Sequence, residues 1–161
     1  TKALTTLLKG AAGGFVYSVG LAPALAAGAL ASLELLACEP QRVARLQKNG
    51  RLFLELAREA GLDTGLSEGH SVVPVIVGDS LRAVRLSNDL LAAGVNVLPI
   101  IHPAVPEGQA RLRFFITCEH GEDQIRETVA LTARLLDGLV RDNFGLNAID
   151  PMQVARLLAG T

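Results

Sequence analysis

The stretch that decides the fold runs from Leu90 to Ile125 and reads LLAAGVNVLPIIHPAVPEGQARLRFFITCEHGEDQI. It opens with the end of a helix, which Gly94 terminates. An apolar run from Val95 to Ile101 then predicts a strand, and a loop held by Pro103 and Pro106 follows. Arg111 to Thr117 alternates strictly, so a second strand of the same hairpin is expected, antiparallel to the first. Alternation places Leu112, Phe114 and Ile116 on one face and Arg111, Arg113 and Phe115 on the other. The first face reads as core. On the second, two guanidinium groups on a rigid strand suit either a salt-bridged surface or an anionic ligand, because the planar fork of donors matches a carboxylate bidentately.

Working outward, Val72 to Val77 is a continuous apolar run that predicts a further strand, and Pro74 within it marks an edge or a strand start. Gly78-Asp79-Ser80 caps a helix over residues 81–93, and a helix over residues 122–139 carries the stripe Ile125, Val129, Thr132, Leu136 and Leu139. Upstream, a helix is expected from Pro40 to Ala60, with Val43, Leu46, Phe53, Leu56 and Ala60 buried. Gly61 is its terminator. Another helix runs from Pro23 in its first turn to Cys38. Residues 1–9 read as a helix tail and Phe15 to Ser18 as a short extended piece. Asn143 to Thr161 is expected to form a loop and then a short helix entered through Asp150-Pro151.

The order helix, helix, strand, helix, strand, strand, helix is α+β: a small three-stranded, mainly antiparallel sheet covered on one face by helices, with a long helical N-terminal lead-in. Three segments follow: residues 1–38, residues 39–139 as a small α+β domain, and an extension over 140–161.

Composition bounds the function. Of the 161 residues half are hydrophobic, and 15 basic against 16 acidic residues leave a net charge of −1, with no basic patch to bind nucleic acid. Residues 10–33 hold no charge and resemble a membrane span. They are built of Ala and Gly and broken by Pro23, so a loop and a buried helix are expected instead. Cys38 and Cys118 match no metal spacing and read as buried thiols of a cytoplasmic protein. His70 and His102 give no metal pattern. His120, just before a helix start, reads as a capping or hydrogen-bonding residue. Ser18, in a Gly-rich context, is either a polar loop serine or a donor to a phosphate. No nucleophile elbow, phosphate-cradling glycine motif or paired-carboxylate constellation is present, so no catalytic residue is assigned.

The stretches GFVYSVGLAPALAAGALASLELL (14–36), VVPVIVGD (72–79) and the opening stretch together resemble the C-terminal part of the α-oxoamine synthase family, over about residues 3–139. These are fold-type I, pyridoxal-phosphate-dependent acyltransferases that join an amino acid to an acyl thioester with loss of carbon dioxide. The resemblance implies that residues 1–38 are the end of a large domain with an interdomain helix. It also implies that Arg113, the second arginine of Arg-Leu-Arg, binds the substrate carboxylate, whereas Arg111 keeps the plain reading of a supporting ion-pair residue on the strand face. Ser18 matches the residue that reaches the cofactor phosphate of the neighbouring subunit in a homodimer, and His120 a structural histidine.

The family's Schiff-base lysine, the aspartate on the pyridine nitrogen and the ring-stacking histidine all belong upstream. Lys2 in Thr-Lys-Ala-Leu mimics the lysine motif but lies too close to Phe15-Val16-Tyr17-Ser18. The chain is therefore expected to be a fragment, missing an N-terminal large domain and inert alone. The donor is coenzyme A or a carrier protein. A non-catalytic binding or dimerisation module is the alternative. Part of a fold-type I aminotransferase is another, although Pro103 to Arg113 resembles the acyltransferase branch better.

Overall fold

A computed structural model describes residues 1–148, which fall into two compact units, residues 1–40 and residues 41 onward. The expected helix after Asp150-Pro151 lies outside the described residues.

The first unit is helical: α1 (Lys2–Ala11), α2 (Gly13–Val16) and α3 (Pro23–Cys38). Phe15 to Ser18, expected to be extended, instead winds as a helical turn. Phe15 and Val16 both donate to the Ala12 carbonyl at 2.9 Å, and Tyr17 donates to that of Gly13 at 3.1 Å. β propensity reports packing on a sheet rather than an intrinsic backbone preference, and this unit contains no sheet. Pro23 takes the first turn of α3, where its missing N–H is of no consequence. The helix was expected to be buried, but none of its residues is, because nothing within the unit packs over it. Leu25, Leu30, Leu33, Leu35 and Leu36 are all exposed. Cys38 at its end is exposed too, which corrects the buried-thiol reading.

The second unit holds α4 (Pro40–Glu59), β1 (Val72–Gly78), α5 (Ser80–Ala92), β2 (Pro99–Ile100), β3 (Ala110–Phe115), α6 (Glu122–Arg141) and a 3-10 turn over Leu146–Ala148. The strands form one antiparallel sheet in the order β1-β3-β2, so β3 is central and Pro74 lies on an edge strand, where a missing donor is tolerated. The outer edge of β1 is not bare, since the Ile76 N–H donates to the Asp63 carbonyl at 2.7 Å.

β2 is much shorter than the apolar run that predicts it. Ser87 on α5 donates its hydroxyl to the Val97 carbonyl at 2.6 Å, and Val97 is buried. That bond ties residues 95–98 to α5 rather than to β3, and pairing is restricted to Pro99 with Leu112 and Ile100 with Arg111.

One face of the sheet is core. Val73, Val75, Val77, Leu112 and Phe114 are buried with Phe53 and Leu54 of α4, Leu86 and Leu90 of α5, and Ile125 and Val129 of α6. Phe53 and Phe114 meet at 4.9 Å between ring centroids, within the range of favourable tilted aromatic pairs. The α6 stripe is as the spacing predicts, with Leu136 only half-buried. The α4 stripe is rotated: Asn49, Gly50, Phe53, Leu54 and Ala57 are buried, whereas Val43 and Ala60 are exposed. The rotation follows from a glycine contact. A Cβ on Gly50 would sit 2.2 Å from the His70 carbonyl oxygen, so α4 turns its smallest residue toward that backbone.

Candidate functional site

The site is built around β3. Leu112 and Phe114 are buried with 0% and 5% exposure, and each stabilises the strand by roughly 2 kcal/mol of apolar burial. Because they fix the strand on the core, the residues between them must point outward. Arg113 and Phe115 are exposed and Arg111 is half-buried, as the alternation predicts.

The outer face is apolar around these cations. Across the β1 ladder Val72 opposes Phe115, Pro74 opposes Arg113 and Ile76 opposes Arg111, while Ile100 of β2 opposes Arg111 from the other side. No acidic residue is a register partner of either arginine.

The two arginines are held differently. Arg111 donates from Nε to the Gln109 carbonyl at 2.9 Å and from an Nη to the Gln109 side-chain oxygen at 3.2 Å. An ion pair is expected of it, but among the described residues it bonds Gln109, two residues back, instead. The Arg113 guanidinium lies 5.7 Å from the centroid of the Phe115 ring. Among the described residues it makes no ion pair. A cation resting on an aromatic face keeps its five N–H donors available at its edge.

The far end of β3 is pinned to α4. Asn49, buried, donates its side-chain amide to the Thr117 carbonyl at 3.0 Å and to the His120 carbonyl at 2.8 Å. His120 in turn accepts from the Thr117 N–H on Nδ1 at 3.2 Å, the local role expected of it. Gln124 accepts the Gly121 N–H at 2.9 Å and closes the first turn of α6. Cys118 lies within this turn, half-buried rather than buried, with its thiol 3.3 Å from a Glu119 oxygen. A cavity of about 320 Å³ opens here, lined by Val95, Asn96, Phe115, His120, Gln124 and Thr128 among others. Neither Asn49 nor the Phe115 platform is singled out by sequence pattern. An Asn on the apolar side of a helix was the available signal for the first.

The near end of β3 is reached through the loop over residues 102–109. Ser80, the first residue of α5, donates its N–H to Glu107 Oε1 at 2.9 Å and its hydroxyl to Glu107 Oε2 at 2.5 Å. The side-chain bond from Ser80, then the backbone bond, holds the Glu107 carboxyl below its ordinary value despite the nearby Asp79 charge. Glu122 is lowered likewise, first by its hydrogen bond from Lys48.

Ser18 belongs to the first unit. It is exposed and donates its hydroxyl to the Phe15 carbonyl at 2.8 Å. Lys2 and Lys9 lie exposed on α1. Among the described residues no group of three or more His, Cys, Asp or Glu side chains could hold a metal ion. No helix among them is long and apolar enough to cross a membrane.

A model of the family described as aminotransferase class I and II matches residues 1–130. The 8-amino-7-oxononanoate synthase of Symbiobacterium thermophilum is 40% identical over 121 residues, which are 75% of this chain and 31% of that protein. The crystal structure of 8-amino-7-oxononanoate synthase from Francisella tularensis superposes with a TM-score of 0.71 at 25% identity, covering 86% of this chain and 40% of that one. A structure of SPT with PLP has the same fold, at a TM-score of 0.72 and 23% identity, covering 84% of this chain and 34% of that one. The chain thus spans about a third of the length of the curated relatives it matches.

Proposed function

We propose that this chain, which belongs to the aminotransferase class I and II family and to its α-oxoamine synthase branch, supplies the carboxylate-binding half of the active site of a pyridoxal-phosphate-dependent acyltransferase. The observation that carries this reading is Arg113: a guanidinium on a core-anchored strand, on an apolar face, with no ion-pair partner among the described residues. The similarity to 8-amino-7-oxononanoate synthases supports the family, and the reaction assigned to it is a decarboxylative condensation of an amino acid with an acyl thioester.

In that reaction Arg113 receives the amino-acid carboxylate through two parallel N–H donors. Holding the carboxylate would help set how the bonds at the amino acid's Cα are oriented. Its geometry therefore bears on which bond breaks as well as on affinity. Pyridoxal phosphate, when bound, would supply an electron sink for charge developing at that carbon. The apolar neighbours Val72, Pro74 and Ile76 leave the carboxylate few competing donors.

Ser18 is the second assignment, as a donor to the phosphate of the cofactor held by the neighbouring subunit of a homodimer. Its hydroxyl would exchange the Phe15 carbonyl for a phosphate oxygen, a charge-assisted bond and the stronger of the two. Residues 1–38 are assigned to the end of the large domain and its interdomain helix, and residues 39–139 to the small domain. The exposed leucines of α1 and α3 offer the surface that the remainder of the protein and a second copy would cover. The cofactor lysine is assigned to an N-terminal large domain outside this sequence, and the chain alone is inert.

Mixing the chain with pyridoxal phosphate and recording its visible spectrum after gel filtration tests the division of the site. A spectrum without a retained, lysine-bound cofactor band is expected. A band that survives filtration and is lost in Lys2→Ala would move the reactive lysine into this chain and overturn the assignment.

A further inference from the structure

The loop over residues 102–109 leads directly into the strand that carries Arg113, and the first residue of α5 clasps it. Ser80 donates twice to the Glu107 carboxylate, at 2.9 Å from nitrogen and 2.5 Å from oxygen. The same Ser80 oxygen lies 3.4 Å from the His102 N–H at the other end of the loop. One serine side chain thereby bridges both ends of the loop. The ladder between β1 and β3 shifts register beside this loop, where Gly78 pairs with Ala110.

The anchor itself is rigid. Asp79 accepts the Arg82 N–H at 2.9 Å on one oxygen and the Leu146 N–H at 2.6 Å on the other. Arg82 donates from Nε to the Phe144 carbonyl at 2.8 Å, and the Arg85 guanidinium lies 5.5 Å from the Phe144 ring centroid. The residues after α6 thus brace the N-terminal end of α5. A helix end fixed in this way can transmit position to whatever Glu107 holds.

We propose that Glu107 is a positioning residue for Arg113: its two-oxygen clasp on Ser80 fixes the chain where it joins β3 and so sets the placement of the carboxylate anchor three residues into that strand. This inference rests on Arg113 being that anchor. Between the clasp and Arg113 lie Gln109, which engages Arg111 through both its carbonyl and its side chain, and Ala110, which is fully buried. Releasing Glu107 frees the loop while the core contacts of Leu112 and Phe114 keep the strand folded. The consequence is a misplaced guanidinium rather than an unfolded domain, and displacements on the order of 1 Å matter in a bidentate clamp.

The test uses the complete cofactor-loaded enzyme, with Glu107→Ala, Glu107→Gln, Arg113→Lys and the Glu107→Ala/Arg113→Lys double variant. Glu107→Ala is expected to raise the amino-acid KM about threefold to tenfold with little change in kcat per cofactor-loaded site, the pattern of weakened positioning. Glu107→Gln keeps an acceptor for Ser80 and recovers most of the loss. In the Arg113→Lys background the Ala substitution adds nothing further, because the geometry it sets is already gone. A role confined to folding would lower the thermal midpoint and the loaded fraction and leave KM unchanged, and that result overturns the proposal. An effect of Glu107→Ala that persists undiminished in the Arg113→Lys background overturns it as well. If Arg113→Lys alone leaves KM unchanged, the anchor assignment fails first and takes the route through Glu107 with it.

Discussion

Arg113 and Phe115 lie two residues apart on one strand face, with the guanidinium 5.7 Å from the ring centroid and no carboxylate bonded to it among the described residues. The aromatic ring takes the place that an internal acid fills at an ordinary surface arginine. An internal carboxylate would compete with the substrate's, whereas a ring steadies the cation without consuming its donors.

Phe115→Leu is therefore expected to weaken amino-acid binding in the complete enzyme by about twofold to fivefold, the loss of an exposed cation–π contact of about 0.5–1 kcal/mol. Because Phe115 is 63% exposed, the thermal midpoint should hardly move. Calorimetric titration with the amino acid, beside a melting curve, checks both halves. A large fall in the midpoint would show that the ring supports the fold instead.

The approach of Gly50 to Gly69 and His70 makes a stability prediction. A methyl group there would meet two backbone carbonyl oxygens at 2.2 and 2.3 Å, and backbone cannot swing aside as a side-chain end can. Gly50→Ala should cost about 2–4 kcal/mol, well above the gain in helix propensity of about 1 kcal/mol. Urea denaturation decides it, and a neutral or stabilising result would contradict the α4 packing described above.

Removing the core side of the strand should be more damaging than removing its outer side. Leu112 is fully buried, so Leu112→Ala is expected to cost about 2–5 kcal/mol. Arg113→Ala, on the exposed face, should change stability by less than about 0.5 kcal/mol. Equal effects of the two substitutions on the denaturation midpoint would be inconsistent with the alternation.

The lowered carboxyl of Glu122 gives a pH dependence whose sign is fixed. A carboxyl that ionises more easily when folded binds fewer protons in the folded state, so its contribution is full above the ordinary value of 4.5 and is lost as the pH falls through the lowered folded value. Glu122→Gln should separate from the parent protein in thermal midpoint at neutral pH and rejoin it at about pH 3. The contact is an exposed surface pair with Lys48, so the separation should be small and shrink with added salt. A gap that does not depend on pH would rule the ion pair out as its cause.

Much of this was legible in the residues. The alternation of Arg111 to Ile116 is a local signal with one solution once a core exists, and the α6 stripe and the Pro23 helix start are local in the same sense. The departures all come from contacts that sequence spacing does not encode. α4 is rotated by the approach of Gly50 to a loop about twenty residues away, and β2 is shortened by one hydroxyl of α5 that captures the Val97 carbonyl. Phe15 to Ser18 winds into a turn because its unit contains no strand. The apolar composition of the Ala-rich α3 predicts burial, but composition cannot say whether a covering surface lies within the same unit. Arg111 and Arg113 look alike as letters, and only Gln109 and Phe115 distinguish them.

The most direct test of the central claim is the amino-acid dissociation constant of Arg113→Ala in the complete cofactor-loaded enzyme, read from the spectral change on titration. Loss of a charge-assisted pair of hydrogen bonds worth about 1.5–3 kcal/mol should raise it by at least about tenfold, while the cofactor absorbance before titration stays that of the parent enzyme. A dissociation constant equal to the parent's would contradict the assignment of Arg113 as the carboxylate anchor.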